Sequence, residues 1–155
     1  MEIQTERCII RQFNQYDIDD FMVYRNNLEW MRYQGFKGLT KQEYKDALLG
    51  SLSLQEGVQL AIVCKKLDVL IGDVYLKQEG STFWIGYTIC PSKARQGYAY
   101  EVLSSVIDVL KAKGVDCIKA GVESENAPSI ALLKKLKFSY IETDNDEQIF
   151  ALNLY

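Results

Sequence analysis

The chain has 155 residues, of which 48% are hydrophobic and 25% are charged. This composition is typical of a soluble globular protein and excludes collagen, coiled coil and wholesale disorder, so we expect one folded domain over residues 1–155. The 18 basic and 21 acidic residues give a net charge of −3, which disfavours a dedicated nucleic-acid-binding protein. Because histidine is absent, this chain can supply no imidazole to a catalytic triad or a metal site.

The four cysteines lie far apart in sequence, at Cys8, Cys64, Cys90 and Cys117, and no pair has the C-x-x-C spacing. We therefore expect buried free thiols and no metal site, which suits a reducing cytosol. The first residues are polar and unlike a signal peptide, and no apolar run approaches the ~20 residues of a membrane span. The sequence predicts a cytoplasmic protein without a membrane partner.

Hydrophobic periodicity predicts short elements in the order β-α-α-β-β-β-α-β-α-β-β. The predicted strands cover 8–13, 59–64, 69–77, 82–90, 115–122, 138–142 and 148–155. The first helix follows the cap residues Asn14 and Asp17, and the others cover about 41–53, about 97–113 and a segment capped by Asn126. The loop over 30–38 is rich in aromatic residues and glycine, and we expect its rings to be exposed.

The strand, helix and strand over 82–122 predict a right-handed crossover between two parallel strands. Short turns join most of the other strands, which favours antiparallel pairing. We therefore predict an α/β (mixed α+β) fold of three layers. It has a mostly antiparallel sheet of about seven strands, one parallel βαβ crossover, and about four helices on the faces of the sheet.

The segment 89–99 joins a buried strand to the most clearly amphipathic helix of the chain. Its loop carries Lys93 and Arg95, and Gly97 precedes the helix. Backbone N–H groups and the positive end of the dipole at a helix start favour phosphate binding. The alternative interpretation is a connecting loop with solvated charges.

The segment 123–138 opens a second helix with Asn126 and Ser129 in its first turn. Ligands favour the crevice at the carboxyl ends of parallel strands, so we expect both side chains to face the same crevice as the loop over 89–99. Alternatively, Asn126 serves only as a helix cap and Ser129 only as a first-turn serine.

Together these segments resemble the GNAT superfamily of acetyl-CoA-dependent N-acetyltransferases, and within it the branch of the ribosomal-protein-alanine N-acetyltransferases. The resemblance covers nearly the whole chain. It rests on the opening segment Thr-Glu-Arg-Cys-Ile-Ile-Arg-Gln-Phe at 5–13, the stretch 85–101, and the Asn-x-x-Ser pattern at 126–129 followed by Lys-Leu-Lys-Phe at 135–138.

The resemblance implies acetyl-CoA as the acetyl donor. The backbone of Tyr87, Thr88 and Ile89 would pair with the pantetheine arm and hold the thioester oxygen. Asn126 would contact the pantetheine, and Ser129 would lie near the sulfur and protonate the departing thiolate. The loop would wrap the pyrophosphate with Ala94, Arg95, Gln96, Gly97, Tyr98 and Ala99.

Several positions depart from the family pattern. Ala94 and Arg95 replace a Gln or Arg and a Gly of the loop, Lys137 replaces a glycine before the last Phe, and Trp84 replaces a glutamate. Family members often have a tyrosine acid where this chain has Leu133 and a glutamate base where it has Gly121.

Because those groups are missing, Glu123 or a water chain would have to take the proton of the amine. Tyr33, Trp84 and Tyr87 are candidates for the lining of the acceptor pocket. The alternative interpretation is ordinary aromatic packing in the core or at the surface.

The sequence thus favours an N-acetyltransferase that acts on a primary amine, at a protein N-terminus or on a small molecule, by direct attack. The alternative is a catalytically silent acyl-CoA-binding or sensor module, because the usual acid and base are absent. A third interpretation treats the loop as a connection without a ligand. The closing hairpin, which ends in residues 150–155, could form the edge of a homodimer.

Overall fold

The computed structural model describes residues 2–50 and 53–155, and within these ranges the chain forms eight strands and four α-helices. The strands are β1 (Ile3–Gln4), β2 (Cys8–Gln12), β3 (Val58–Cys64), β4 (Val69–Glu79), β5 (Thr82–Ile89), β6 (Cys117–Glu123), β7 (Ser139–Asp144) and β8 (Glu147–Asn153). The helices are α1 (Ile18–Arg25), α2 (Lys41–Leu49), α3 (Tyr98–Ala112) and α4 (Ala127–Lys135).

The structure confirms the predicted order of elements. Three details differ from the predictions: an additional strand, the end of a helix and the burial of one ring. The two-residue strand β1 is additional, because so short a strand has no periodicity to detect. Helix α2 ends at Leu49 rather than near 53, and residues 51 and 52 of the predicted helix lie outside the described residues. The ring of Phe36 packs 5.3 Å from that of Tyr44, so the prediction that the rings of loop 30–38 are exposed was wrong for this residue.

All eight strands form one sheet in the order β1-β2-β3-β4-β5-β6-β8-β7. Only β5 and β6 pair in parallel, as the crossover predicts, and they do so over three residue pairs that end at Trp84↔Lys119. Strand β5 stays paired with β4 as far as Gly72↔Ile89, so a gap opens between β5 and β6. The closing hairpin forms one edge of the sheet, through β7 rather than through the last strand.

The helices cover both faces of the sheet, which confirms the predicted three layers. On one face, α3 and α4 bury Val102, Val106 and Leu133 against the sheet. On the other face, α1 and α2 bury Phe21 and Tyr44 in a second, aromatic core. We call these two sides the α3/α4 face and the α1/α2 face.

A charged cluster fixes the start of α3 to the turn between β1 and β2. The carboxylate of Glu101 accepts hydrogen bonds from Thr5 Oγ1, from the backbone N–H of Arg7 and from Arg7 Nε, the last at 2.6 Å. The guanidinium of Arg7 also stacks over the ring of Tyr98, 4.0 Å from its centroid, and donates to the carbonyl of Gln96. Arg7 therefore contacts both the loop before α3 and the first turn of this helix, and it fixes their positions.

Helix α4 ends in a Schellman motif built on a lysine. The N–H of Phe138 donates to the carbonyl of Leu133, and the N–H of Lys137 donates to that of Lys134. This geometry gives Lys137 a φ of 75°, a conformation that glycine adopts without steric cost and that is strained for a lysine.

We expect Lys137→Gly to raise the free energy of unfolding by about 1 kcal/mol, because it relieves this left-handed strain. Lys134→Gly, inside the same helix, should lower the free energy of unfolding by about 1 kcal/mol. Urea unfolding of both variants measures the two changes. A loss of stability in Lys137→Gly would contradict the strain argument.

The Glu101 cluster should make stability depend on pH. Burial raises the pKa of Glu101, but the hydrogen bonds from Thr5 and Arg7 outweigh burial and hold the pKa below its usual value. A lowered carboxyl pKa stabilises the folded state above the unfolded-state pKa of about 4.3, and this contribution disappears as the pH falls through the folded-state pKa.

We therefore expect wild type to be more stable than Glu101→Gln at pH 7 and to lose this advantage as the pH falls from about 5 to about 3. Denaturant unfolding across that range measures the difference. Asp108→Asn, on the exposed side of the same helix, is the matched control. A difference between wild type and Glu101→Gln that stays constant with pH would rule out this role of the carboxylate.

Candidate active site

The gap beside β5 leaves one backbone edge of that strand without a neighbouring strand. The N–H of Cys90 donates toward β4, and alternate residues of a strand direct their peptide groups to opposite sides. The peptide groups of Tyr87 and Ile89 therefore face the gap. Their carbonyls accept hydrogen bonds from the side chains of Gln34 (3.5 Å) and Trp30 (3.0 Å).

A first cavity of about 490 Å³ extends from this edge along the starts of α3 and α4. It collects ten of the eleven residues predicted to bind the cofactor: Tyr87, Thr88, Ile89, Ala94, Arg95, Gly97, Tyr98, Ala99, Asn126 and Ser129. The eleventh, Gln96, is not among the lining residues, and its side chain donates to the carbonyl of Ser92 at 3.2 Å.

The loop that closes this cavity has the geometry of an anion site. Arg95 has a φ of 61° and Gly97 a φ of 81°, and this bent backbone leads directly into the fifteen residues of α3. The free N–H groups of the first helical turn and the positive end of the dipole therefore lie at the cavity. Lys93 and Arg95 add positive charge to its lining.

A pair of hydroxyl groups lies where β5 meets α4. The hydroxyl of Tyr87 is 2.5 Å from Oγ of Ser129. Burial raises the pKa of Tyr87 to about 12, and the hydrogen bond to Ser129 lowers it only partly, so the phenol is protonated at neutral pH. Asn126 caps the helix by accepting from the N–H of Ser129 at 3.4 Å. The sequence predicted a role for each of these residues, but not the contact between the two hydroxyl groups.

A second cavity of about 110 Å³ lies in the gap itself. It is lined by Tyr87 and Ser129 on one side and by Glu123, the predicted proton acceptor, on the other. Gly121 and Glu147 also line it, and Glu147 pairs with Glu123 across β6 and β8. Sequence reasoning did not place Glu147 beside Glu123, because only the sheet order brings β8 beside β6.

A third cavity of about 470 Å³ includes Phe36, Gln59 and Tyr75 in its lining. It shares Gln34 and Tyr87 with the lining of the other two cavities.

The structure brings two of the three predicted acceptor residues to these cavities. Tyr33 lines the first and second cavities, and Tyr87 lines all three. Trp84 lines none of them: its Nε1 donates to Glu79 Oε1 at 2.9 Å, and Lys119 lies over its ring. Trp84 lies before the gap begins, in the part of β5 that is still paired with β6.

A buried ion pair supports β5 from the α1/α2 face. Asp73, fully buried in β4, accepts hydrogen bonds from Tyr24, Arg25 and Gln59, and Arg25 also donates to Oγ1 of Thr88. Burial, and then Asp73, raise the pKa of Tyr24 well above its usual value. The isolated aspartate within the apolar run of β4 was the available sequence signal for this network.

Within residues 2–50 and 53–155, no group of three or more cysteine, aspartate or glutamate side chains could hold a metal ion. The four cysteines are free thiols. No helix in the described part of the chain has the length and apolar character that a membrane span requires.

Residues 7–139 match the family model of the acetyltransferase (GNAT) domain. The uncharacterized N-acetyltransferase YoaA of Bacillus subtilis (strain 168) is 29% identical in an alignment of 144 positions that covers 88% of this chain and 81% of YoaA. A GNAT-family acetyltransferase from Bacillus anthracis has the same fold, with a TM-score of 0.85 at 20% identity over 99% of each chain. Spermidine N-acetyltransferase from Vibrio cholerae, in complex with CoA and spermine, superposes with a TM-score of 0.81 at 14% identity over 96% of each chain.

The family match spans most of the chain, and the loop before α3 and the start of α4 lie at one cavity, as that family resemblance implies. The chain therefore belongs to the GNAT family of acetyltransferases, enzymes that move an acetyl group from acetyl-CoA to an amine.

Proposed function

We propose that this enzyme binds acetyl-CoA in the first cavity and acetylates a primary amine that enters through the third. The observation that carries this proposal is that Tyr87, beside the open edge of β5, lines all three cavities. A donor and an acceptor that approach from different sides can meet there in a reactive geometry, and such positioning supplies a large share of the catalysis of two-substrate reactions.

The first cavity has groups that suit both the pyrophosphate and the thioester end of acetyl-CoA. The first turn of α3, with Lys93 and Arg95, suits the pyrophosphate. The N–H groups of Tyr87 and Ile89 suit the amide carbonyls of the pantetheine arm and the thioester oxygen. The spermidine N-acetyltransferase of the same fold was solved with CoA, which is consistent with this assignment.

The hydroxyl pair suits the departure of the thiolate. Acetyl-CoA supplies the thioester, and Ser129 would donate a hydrogen bond or a proton to the sulfur as the C–S bond breaks. Tyr87, which burial keeps protonated, would orient the hydroxyl of Ser129. This chain lacks the family tyrosine at Leu133, so Tyr87 on β5 would provide the phenol from another element.

The acceptor side favours an amine on a neutral body. None of the described residues that line the third cavity is acidic, and Phe36, Leu48 and Tyr75 give it apolar surface. A polyamine would need carboxylates for its remote ammonium groups, whereas a peptide N-terminus or a small monoamine would not. The free cysteines are compatible with work in a reducing cytoplasm.

The cofactor site is tested by calorimetric titration of acetyl-CoA into wild type and Gly97→Glu. A Cβ at Gly97 would lie 3.5 Å from Nη2 of Arg7, at a φ of 81° that strains any side chain. The substitution should therefore distort the loop, and we expect at least a roughly tenfold weaker affinity, about 1.4 kcal/mol. Gly114→Glu is the matched control, because Gly114 has a φ of 83° at the other end of α3 and a Cβ there meets no atom within 4 Å. Equal affinity of both variants would contradict the proposed site.

The hydroxyl pair is tested by steady-state kinetics with Ser129→Ala and Tyr87→Phe. We expect kcat to fall by about 10- to 100-fold in Ser129→Ala, the lower end of acid–base catalysis, with KM for acetyl-CoA changed by less than about threefold. Tyr87→Phe keeps the ring and should show a smaller loss in kcat. Full binding of acetyl-CoA by wild type without any release of CoA would instead support a silent binding module.

A further inference from the structure

A carboxylate from β8 fills the space that a side chain on β6 would otherwise occupy. A Cβ built on Gly121 would lie 2.9 Å from Oε1 of Glu147 and 3.3 Å from its Cδ, which is too close for a real contact. Glu147 is paired with Glu123, two residues farther along β6, so its side chain leans diagonally back across the strand. Gly121 and Glu147 therefore form one unit, in which the missing side chain makes room for the carboxylate.

The carboxylate of Glu147 lies at the same position along the strands as the hydroxyl pair of Tyr87 and Ser129. Trp84 on β5 and Lys119 on β6 are the last paired residues of these two strands. Two residues farther along each strand, Gly86 and Gly121 therefore lie across the gap from each other. Tyr87 is the next residue after Gly86. The cavity between them is lined by Tyr87, Ser129 and Glu147 together.

The carboxylate and the hydroxyl pair lie on opposite faces of the sheet. Ala120 and Val122 are buried in the core under α3 and α4, so strand alternation directs Gly121 and its neighbour Glu147 to the α1/α2 face. The third cavity opens on that face. Ser129 belongs to α4 on the other face.

The carboxylate of Glu147 is also unpaired among the described residues. Among the described residues, Glu147 takes part in no salt bridge and accepts no side-chain hydrogen bond, unlike the paired carboxylates of Asp17, Asp73 and Glu101. An exposed carboxylate exchanges its proton with water, so it can be used again in each cycle.

We propose that Glu147 is the proton acceptor for the amine substrate. This role rests on the proposed function. An alkylammonium group reaches the gap through the third cavity and gives one N–H proton to the carboxylate of Glu147, which later releases it to water. The neutral nitrogen uses its lone pair to form the C–N bond with the thioester carbon. The C–S bond then breaks, the sulfur keeps the electron pair and is protonated through Ser129, and the nitrogen loses its second proton to solvent.

The proposal is tested with Glu147→Gln, which keeps the size of the side chain and removes the charge. Trialanine amide, tyramine and spermidine serve as acceptors, and CoA release is measured. With the best of these acceptors at pH 7, we expect kcat/KM to fall at least about tenfold, while acetyl-CoA binds as in wild type. The reason is that an α-amine with a pKa of about 8 is only about one-tenth neutral at that pH, and the alkylamines are less so. Glu142→Gln, on the exposed strand β7, should leave kcat/KM unchanged.

The pH dependence separates catalysis from a structural effect. The α-amine of a peptide has a pKa of about 8, so above that pH the amine is already neutral and needs no base. The deficit of Glu147→Gln toward trialanine amide should therefore shrink at least fivefold between pH 7 and pH 9.5. A deficit that is the same at both pH values would overturn the proposal.

The double variant Gly121→Glu with Glu147→Gly moves the carboxylate to the other strand of the unit. It should raise kcat/KM at least about fivefold above that of Glu147→Gln, because the space is filled by the same group. Glu147→Gln with more than half of the wild-type activity would overturn the role of Glu147 and leave the proposed function standing. If wild type itself releases no CoA with any of the three amines, the proposed function falls and this role falls with it.

Discussion

The site depends on the early parting of β5 and β6. These strands pair over only three residue pairs, while β5 remains paired with β4 over its whole length. A strand held firmly on one side and free on the other keeps its peptide groups rigid and available. Tyr87 lies on that free edge, and each of the three cavities includes it. A sheet with complete β5–β6 pairing would use up these groups in the ladder.

Two polar clusters keep the walls of the gap in place. The buried pair of Arg25 and Asp73 ties α1 to β4, and Arg25 reaches Thr88 on β5. The Arg7–Glu101 pair ties the turn after β1 to the start of α3. Loss of one partner of the buried Arg25–Asp73 pair would leave an uncompensated charge and cost several kcal/mol, so this cluster defines the geometry more strictly than apolar packing alone would. The Arg7–Glu101 pair is partly exposed, and solvent weakens its contribution.

Three of the positions that depart from the family pattern have local explanations in this structure. Arg95 and Lys137 stand where that pattern has glycine, and both adopt the left-handed conformation that glycine would take. The backbone path is therefore preserved at the cost of strain. Gly121, where the pattern has a glutamate, lies beneath the carboxylate of Glu147 from the neighbouring strand. The glutamate that is missing from β6 is thus replaced by the side chain of Glu147 on β8.

The sequence by itself determined the order of elements, the parallel crossover and most of the first cavity. These features follow from local periodicity, from helix caps such as Asn126, and from the adjacency of Gly97 to an amphipathic helix. It also determined the family through three motifs in order. Only the tertiary structure decided what meets across the gap: the contact of Tyr87 with Ser129 and the approach of Glu147 to Gly121. The physical reason is that strand order and the point of parting are set by packing between distant segments, which no local pattern encodes.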